Sequence, residues 1–535
     1  MEKMAHFFPL KTPRIGWVNL GVLGILLVAA FLRLYKISDY MTFLGDEGRD
    51  ALVVYGILHG KFTLLGPTAS VGGFFLGPIY YYFMAPFLWL FNYDPAGAAV
   101  MVALFGVTTV YLVYKIGDEF FNTTTGLIAA FLYAISPLVI AYSRSSWNPN
   151  LMPFFSLLTL YVLYKAVVKK SAFLFVLCGF LLGIAMQLHY LTIFLGVVVA
   201  AYVLFVQTMR GSNHIGNVFK DHILIAGGFI LGWSPFFAFE IRHGFPNMQS
   251  IIRFILSSGD TGTNPQFLGT LQNVFFRLFG RLITTFPPPE QVSLHDKLEI
   301  ALWYWGTLII AYLGLLILVL KFFNAVKRKN VLEFQKMSLM LLWISIGIFL
   351  FGFYKKSIYD YYFGFMFTLP FILTGMTLSD FPKVLHKFLP RIEPMGKTLV
   401  IIALLILVWL NAQGIPFRFS PNRQKDQVKQ ISEFVLSKTE NKPFNFALIT
   451  LGNSDHGYRY FFKLAGKDPV IIETFKNDPK RQTVADQLLI VCEDPECKPL
   501  GHSLWEVAGF GRAEITGEWQ VSVVRVYKLV HYQEK

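Results

Sequence analysis

The chain has 535 residues, of which 54% are hydrophobic and only 15% charged, and its mean hydropathy is +0.51. Soluble domains carry about a quarter charged residues, so an ordinary soluble enzyme is excluded. The net charge of +14 reads as membrane orientation rather than nucleic-acid binding. Many apolar runs reach the roughly 20 residues that cross a bilayer, without the alternation of barrel strands. The expected fold class is a polytopic α-helical membrane protein with a small extracytoplasmic α/β domain at its C-terminal end.

Lys3, Lys11 and Arg14 precede a first span at about 15–35, which reads as a retained signal anchor with its basic end in the cytoplasm. Residues 36–95 form a first outer loop. Within it, 74–91 is apolar but broken by Gly77-Pro78 and Pro86, and it carries Tyr80, Tyr81, Tyr82 and Trp89. It is expected to lie in the membrane interface. Further spans are expected at about 96–115, 125–142, 150–168, 171–188, 191–208 and 222–240, then a long outer loop 241–298. The last are at about 299–321, 337–354, 361–379 and 398–414. These make about eleven spans, with the N-terminus inside and the C-terminus outside the plasma membrane. Counting 74–91 as another span would put Lys165, Lys169, Lys170 and the basic cluster Lys321–Lys336 outside, against the positive-inside bias.

Residues 1–415 therefore form a transmembrane domain, and 416–535 a soluble extracytoplasmic one. In the latter, Val428, Ile431, Phe434 and Val435 recur at helical spacing. Apolar runs at Phe446–Leu451, Val470–Ile472, Leu488–Val491 and Val521–Val526 follow, separated by turns such as Gly452-Asn453. Of the three cysteines, Cys178 reads as a packing residue, and Cys492 and Cys497 are close enough in sequence for a local disulfide outside the cytoplasm. Asn122-Thr123-Thr124 matches a glycosylation triplet but falls on the inner side.

The polar residues that look out of place gather at the outer ends of spans. They are Asp46, Glu47, Arg49 and Asp50; Arg144, Asn148 and Asn150; His189 and Tyr190; Glu240, Arg242 and His243; Lys355, Lys356, Asp360, Tyr361 and Tyr362. Asn148 and Asn150 are expected to cap the next span. Arg253, Arg277 and Arg281 are expected on interface helices facing headgroups. A transporter would carry such groups nearer the midplane. A carboxylate pair ringed by cations at a membrane surface suits sugar transfer from a lipid phosphate. A carboxylate takes the acceptor proton, and cations offset the leaving phosphate.

Asp46-Glu47 in the first outer loop, Gly77-Pro78-Ile79-Tyr80-Tyr81-Tyr82, and Ser136-Pro137 followed by Tyr142-Ser143-Arg144 carry a family resemblance. Over residues 1–415 the chain resembles the GT-C superfamily of polyprenyl-phosphate-dependent glycosyltransferases, in the branch of protein O-mannosyltransferases and lipid A aminoarabinose transferases. The resemblance implies interface helices in the first loop, Asp46 as catalytic base and Glu47 as its helper. It also implies a polyprenyl-phosphate-sugar donor in membrane lipid and an extracytoplasmic protein, lipid or glycan acceptor. Arg144, His189, Tyr82, Lys355, Lys356, Glu240 and Arg242 are the expected phosphate or substrate contacts. Where many relatives place a further acid, this chain has Trp147-Asn148-Pro149-Asn150. Metal-independent transfer with no required cofactor is therefore expected, a divalent cation being the alternative. The rival reading is a transporter or flippase of a lipid-linked sugar. The topology is testable with reporter fusions: a fusion at residue 93 should report outside and one at 168 inside, and residue 168 outside would contradict the assignment.

Overall fold

A computed structural model describes residues 16–209, 215–257, 259–293, 297–388, 393–494 and 496–533. Lys3, Lys11 and Arg14 lie outside the described residues. The helices are, in order, α1 (Trp17–Leu34), α2 (Ile37–Tyr40), α3 (Gly45–Leu58), α4 (Ile79–Leu90), α5 (Ala96–Phe120), α6 (Thr123–Ile135) and α7 (Pro137–Ser143). Next come α8 (Met152–Lys169), entered through a short 3-10 turn Asn148–Leu151, α9 (Ala172–Leu188), α10 (Thr192–Thr208), α11 (Ile215–Gly232) and α12 (Ser234–His243). Then follow α13 (Pro246–Ser257), α14 (Phe267–Gly280), α15 (Leu298–Lys327), α16 (Val331–Phe351), α17 (Leu369–Phe388), α18 (Glu393–Gln413) and α19 (Gln424–Lys438). The remaining elements are β1 (Asn445–Ile449), α20 (His456–Leu464), β2 (Gln487–Cys492), α21 (Trp505–Ala508), β3 (Ala513–Val521) and β4 (Val524–His531).

This is a multi-pass membrane protein. Among the described residues, α1, α5, the helix through α8, α15, α16 and the main length of α18 are long and apolar enough to cross a bilayer. Three more candidate crossings are bent: α6 with α7 by 64°, α11 with α12 by 75°, and the turn Asp360–Met366 with α17 by 63°. The apolar helices α9 and α10 have 17 residues each. A helix or bent pair thus stands at each expected span. The doubtful segment becomes α4, whose 12 residues reach only roughly 18 Å, short of the roughly 30 Å hydrocarbon core.

The bend between α6 and α7 organises the outer face. Pro137 has no N–H to offer the Tyr133 carbonyl, so the helix breaks there. Arg33 of α1, wholly buried, supplies the missing donors, giving Nη2 to Tyr133 O at 3.3 Å and Nη1 to Ala134 O at 3.0 Å. Arg144, just past α7, answers in the other direction. Its Nη1 donates to the carbonyls of Leu32 and Arg33 at 2.9 and 3.0 Å, and its Nη2 to those of Tyr35 and Lys36 at 2.8 and 3.1 Å. Leu32 and Arg33 are in the last turn of α1, where a helix end leaves carbonyls without internal partners, and Tyr35 and Lys36 lie just beyond it. Phe417 and Tyr40 cover the guanidinium at 5.1 and 5.6 Å.

The C-terminal unit is a four-stranded sheet in the order β1-β2-β4-β3, with β1 and β2 parallel and the other pairs antiparallel. The apolar run Val521–Val526 spans the β3–β4 hairpin: Val521 ends β3, Ser522 adopts φ 53° in the turn, and Val524 begins β4. Val470–Ile472 contributes only an isolated bridge to Asn445. Cys492 and Cys497 are joined by a disulfide, Cα–Cα 5.9 Å, and Cys178 is buried in α9. Asn122 caps α6 by accepting the Thr125 N–H at 2.9 Å.

The paired arginines predict a stability effect. Arg144→Ala leaves buried carbonyls without donors and should cost on the order of 3 kcal/mol, read as a lowered thermal transition in detergent. Arg144→Lys should recover only part of it, because an ammonium cannot span four carbonyls as the fork does. An Arg144→Ala transition equal to the wild type would contradict the clamp.

Candidate active site

Asp46 and Glu47 occupy the first turn of α3, where acids favour the helix dipole. Glu47 turns back on the helix start: its Oε2 accepts the Leu44 N–H at 3.0 Å, and its Oε1 accepts from the Ser145 hydroxyl at 3.4 Å. It is 7% exposed, and burial holds its carboxyl above the usual range. Asp46 faces outward, its side chain 54% exposed, and accepts from Arg49 Nη1 at 2.8 Å. Arg49 is shared. Its Nε and Nη2 donate to Asp50 Oδ1 at 3.0 and 2.8 Å. Asp50 is wholly buried, and burial pushes its carboxyl up to about 7 against the opposing pull of Arg49.

The pair opens on a cleft of about 550 Å³ lined by Thr42, Leu44, Tyr142, Ser145, Trp147 and Asn150, with Gly452, Asn453 and Ser454 arriving from the C-terminal unit. The two acids are therefore unlike. Asp46 is accessible and oriented by a cation. Glu47 is enclosed and bonded to the backbone.

The remaining expected contacts fare differently. Arg144 is corrected: all four of its recorded hydrogen bonds go to carbonyls at and just after the end of α1, so it is a structural clamp rather than a phosphate ligand. Glu240 is corrected as well. Fully buried, it accepts from the Asn247 and Met248 N–H groups at 3.3 and 2.8 Å and from Asn247 Nδ2 at 2.8 Å, holding the start of α13. Arg242, its neighbour at the end of α12, is exposed. His189 is buried. Its Nδ1 accepts the Leu191 N–H at 3.2 Å, and its ring packs on Tyr190, Tyr361 and Tyr362. The Tyr82 hydroxyl donates to Thr63 O at 2.8 Å, tying α4 to its own loop. Lys356 pairs with Asp260 at 3.2 Å, and the Lys355 N–H donates to Asp260 O at 2.9 Å; both side chains are exposed. None of His189, Tyr82, Glu240, Arg242, Lys355 and Lys356 lines the cleft. Asn148 does not cap α8: it donates to Leu188 O at 2.6 Å, and Asn150 donates to Ser145 O at 2.8 Å.

Two features escaped sequence reasoning. Arg277 is buried rather than turned to headgroups. It donates to Asp360 Oδ1 at 3.1 Å, while Arg281 Nε donates to Asp360 Oδ2 at 2.8 Å. Asp360 and Arg281 stand beside Tyr142 of the cleft. The other is the Gly452–Ser454 wall, legible in the sequence only as a turn. Among the described residues no group of three or more His, Cys, Asp and Glu side chains is arranged to hold a metal. Arg49 already pairs with Asp46 and Asp50.

The fold matches the crystal structure of ArnT from Cupriavidus metallidurans bound to undecaprenyl phosphate, with a TM-score of 0.57 at 14% identity, covering 96% of this chain and 98% of that one. Residues 76–233 match the family model for dolichyl-phosphate-mannose-protein mannosyltransferase. The chain has the fold of ArnT. AglB of Archaeoglobus fulgidus, an archaeal oligosaccharyltransferase solved with an inhibitory peptide and a dolichol-phosphate, is similar in fold at a TM-score of 0.50 and 14% identity, over 89% of this chain and 69% of that one. A Bacillus subtilis (strain 168) protein named "Putative mannosyltransferase YkcB" is 24% identical over 197 residues, 35% of this chain and 26% of its own length. The chain thus spans about a quarter of the curated relatives it matches.

Asp50 gives a pH prediction. Its folded pKa lies above the ordinary carboxylate value of 3.8. Its contribution to stability is therefore fully present below that value and lost as pH rises through about 7. Asp50→Asn should gain stability relative to the wild type between pH 5 and 8, on the order of 3 kcal/mol, read by thermal denaturation. Parallel curves for the two proteins would contradict the buried, shared carboxylate.

Proposed function

We propose that the protein is an integral membrane glycosyltransferase that moves a monosaccharide from a polyprenyl-phosphate-linked donor to a protein, lipid or glycan acceptor outside the plasma membrane. The observation that carries this is the open carboxylate of Asp46, oriented by Arg49 at 2.8 Å and standing in the cleft beside the buried Glu47. As the acceptor oxygen bonds to the anomeric carbon, Asp46 takes its proton, and the bond from that carbon to the donor phosphate oxygen breaks. Glu47 holds the helix start and Ser145, and so keeps Asp46 in register with the opposite wall.

With Arg144 engaged elsewhere, and Arg277 held by Asn273, Asp360 and Glu290, Arg281 is the cation assigned to the leaving phosphate. Arg281 also donates to Phe286 O at 2.6 Å, near Thr284 and Thr285 at the head of an apolar groove between α15 and α18. That groove, about 800 Å³ and walled by Trp303, Ile406 and Trp409, suits the polyprenyl tail. The undecaprenyl phosphate of ArnT and the dolichol-phosphate of AglB support a lipid-phosphate donor. The reading keeps the N-terminus cytoplasmic and the C-terminal unit outside, as the basic loops suggest. It also keeps transfer metal-independent, because the carboxylates of the pair are engaged by Arg49, Leu44 and Ser145.

The test is turnover of a radiolabelled polyprenyl-phosphate sugar by purified protein with a cell-envelope fraction. Asp46→Asn should lower kcat by about 100-fold or more, Glu47→Gln by less, and Arg281→Ala should raise the donor KM. Transfer by Asp46→Asn at the wild-type rate would contradict the reading.

A further inference from the structure

The first residue of a helix presents an N–H that no turn of the helix can satisfy. At Gly45, the residue before Asp46, that N–H donates to Asn453 Oδ1 at 2.9 Å. Asn453 belongs to the loop between β1 and α20, more than 400 residues along the chain. The same oxygen accepts the Ser454 N–H at 2.8 Å. The Asn453 amide nitrogen donates to both oxygens of Glu493, at 3.0 and 3.2 Å. Glu493 is itself held by the hydroxyls of Tyr458 and Thr450, at 2.8 and 2.9 Å. It follows Cys492 directly, inside the loop closed by the disulfide to Cys497.

The packing at this contact leaves no slack. A Cβ at Gly45 would stand 2.0 Å from Ser454 Oγ, and one at Gly48 only 2.3 Å from the Gly457 nitrogen. The first of these meets a side chain, but the second meets backbone and cannot be relieved by a rotamer. Ser454 Oγ is paired with His456 Nδ1 at 2.7 Å, and Asn453 and Ser454 both line the cleft that holds Asp46. Other bonds dock the same unit onto the first loop: Lys425 Nζ to Asp94 at 2.9 and 3.0 Å, and the Tyr460 hydroxyl to Tyr93 O at 2.6 Å.

We propose that the C-terminal unit is a working wall of the catalytic cleft, and that Asn453, held by Glu493, is a positioning residue for Asp46. The inference rests on the reading of Asp46 as the base. A chain Glu493–Asn453–Gly45 transmits the rigidity of the sheet to the one helical turn that must present a carboxylate to the acceptor. Displacing a reacting group by about 1 Å can cost about 100-fold in rate. The remote anchor therefore acts on turnover rather than on donor binding.

The experiment measures kcat, donor KM and thermal transition for full-length variants. Asn453→Ala should lower kcat about 10-fold or more, with the donor KM within about twofold and the transition near that of the wild type. Asn453→Asp should be impaired because its carboxylate faces Glu493. Adding Glu493→Gln should restore kcat, since the new amide donates to a carboxylate that still accepts the Gly45 N–H. Gly48→Ala, which forces α3 away from the loop without touching Asn453, should reproduce the kcat loss. Wild-type kcat in either Asn453→Ala or Gly48→Ala, with Asp46→Asn inactive, would overturn the positioning role alone. Wild-type turnover by Asp46→Asn would instead remove the reading on which it rests.

Discussion

The outer face depends on two buried arginines answering two sets of unpaired carbonyls. In lipid, each backbone polar group has to be satisfied within the protein. Pro137 breaks the third expected span and strips a donor from the Tyr133 carbonyl, and α1 ends with open carbonyls of its own. Arg33 reaches from α1 to the break, and Arg144 reaches from beyond the break to the end of α1. The exchange locks the chain leaving α1 against the chain leaving α7. Residues 42–47 and 141–150 become opposite walls of one cleft as a consequence.

On that frame the chemistry is a division of labour within one helical turn and its neighbour. Arg49 lies three residues after Asp46 and next to Asp50, so one guanidinium serves both carboxylates. Asp50 is buried and Asp46 is open to the cleft, which is why the proposed base is Asp46. Glu47 points the other way, to the helix start and Ser145. Adjacent acids in sequence thus end in different environments, because successive residues on a helix face about 100° apart.

Much of this was legible in the sequence. Apolar length and the placement of lysines located the helices, and the Gly77-Pro78 and Pro86 breaks marked 74–91 as a segment that does not cross. The acid pair stood out because nothing in lipid packing calls for it. Arg144 and Glu240 were misread for one reason: a sequence displays a charge at the end of a span but not the backbone groups it faces. Their partners are the carbonyls of α1 and the amides of α13. The Arg277–Arg281–Asp360 cluster was hidden because its members come from the end of α14 and the turn Asp360–Met366, some 80 residues apart. The C-terminal wall was hidden more deeply, since Gly452-Asn453 announces a turn and says nothing of the helix it meets. The hairpin turn inside the apolar run Val521–Val526 was not legible because Ser522-Val523 carries none of the Gly or Asn that mark a two-residue loop.

The central claim is that Asp46 meets the acceptor in the cleft between the first loop, α7 and the C-terminal unit. Electron cryo-microscopy of the protein with a non-transferable polyprenyl-phosphonate sugar and an acceptor tests it most directly. The account predicts sugar density inside that cleft, with the acceptor hydroxyl about 3 Å from the Asp46 carboxylate and the phosphonate toward Arg281. Sugar and acceptor bound together elsewhere, with the Asp46 cleft empty, would contradict it.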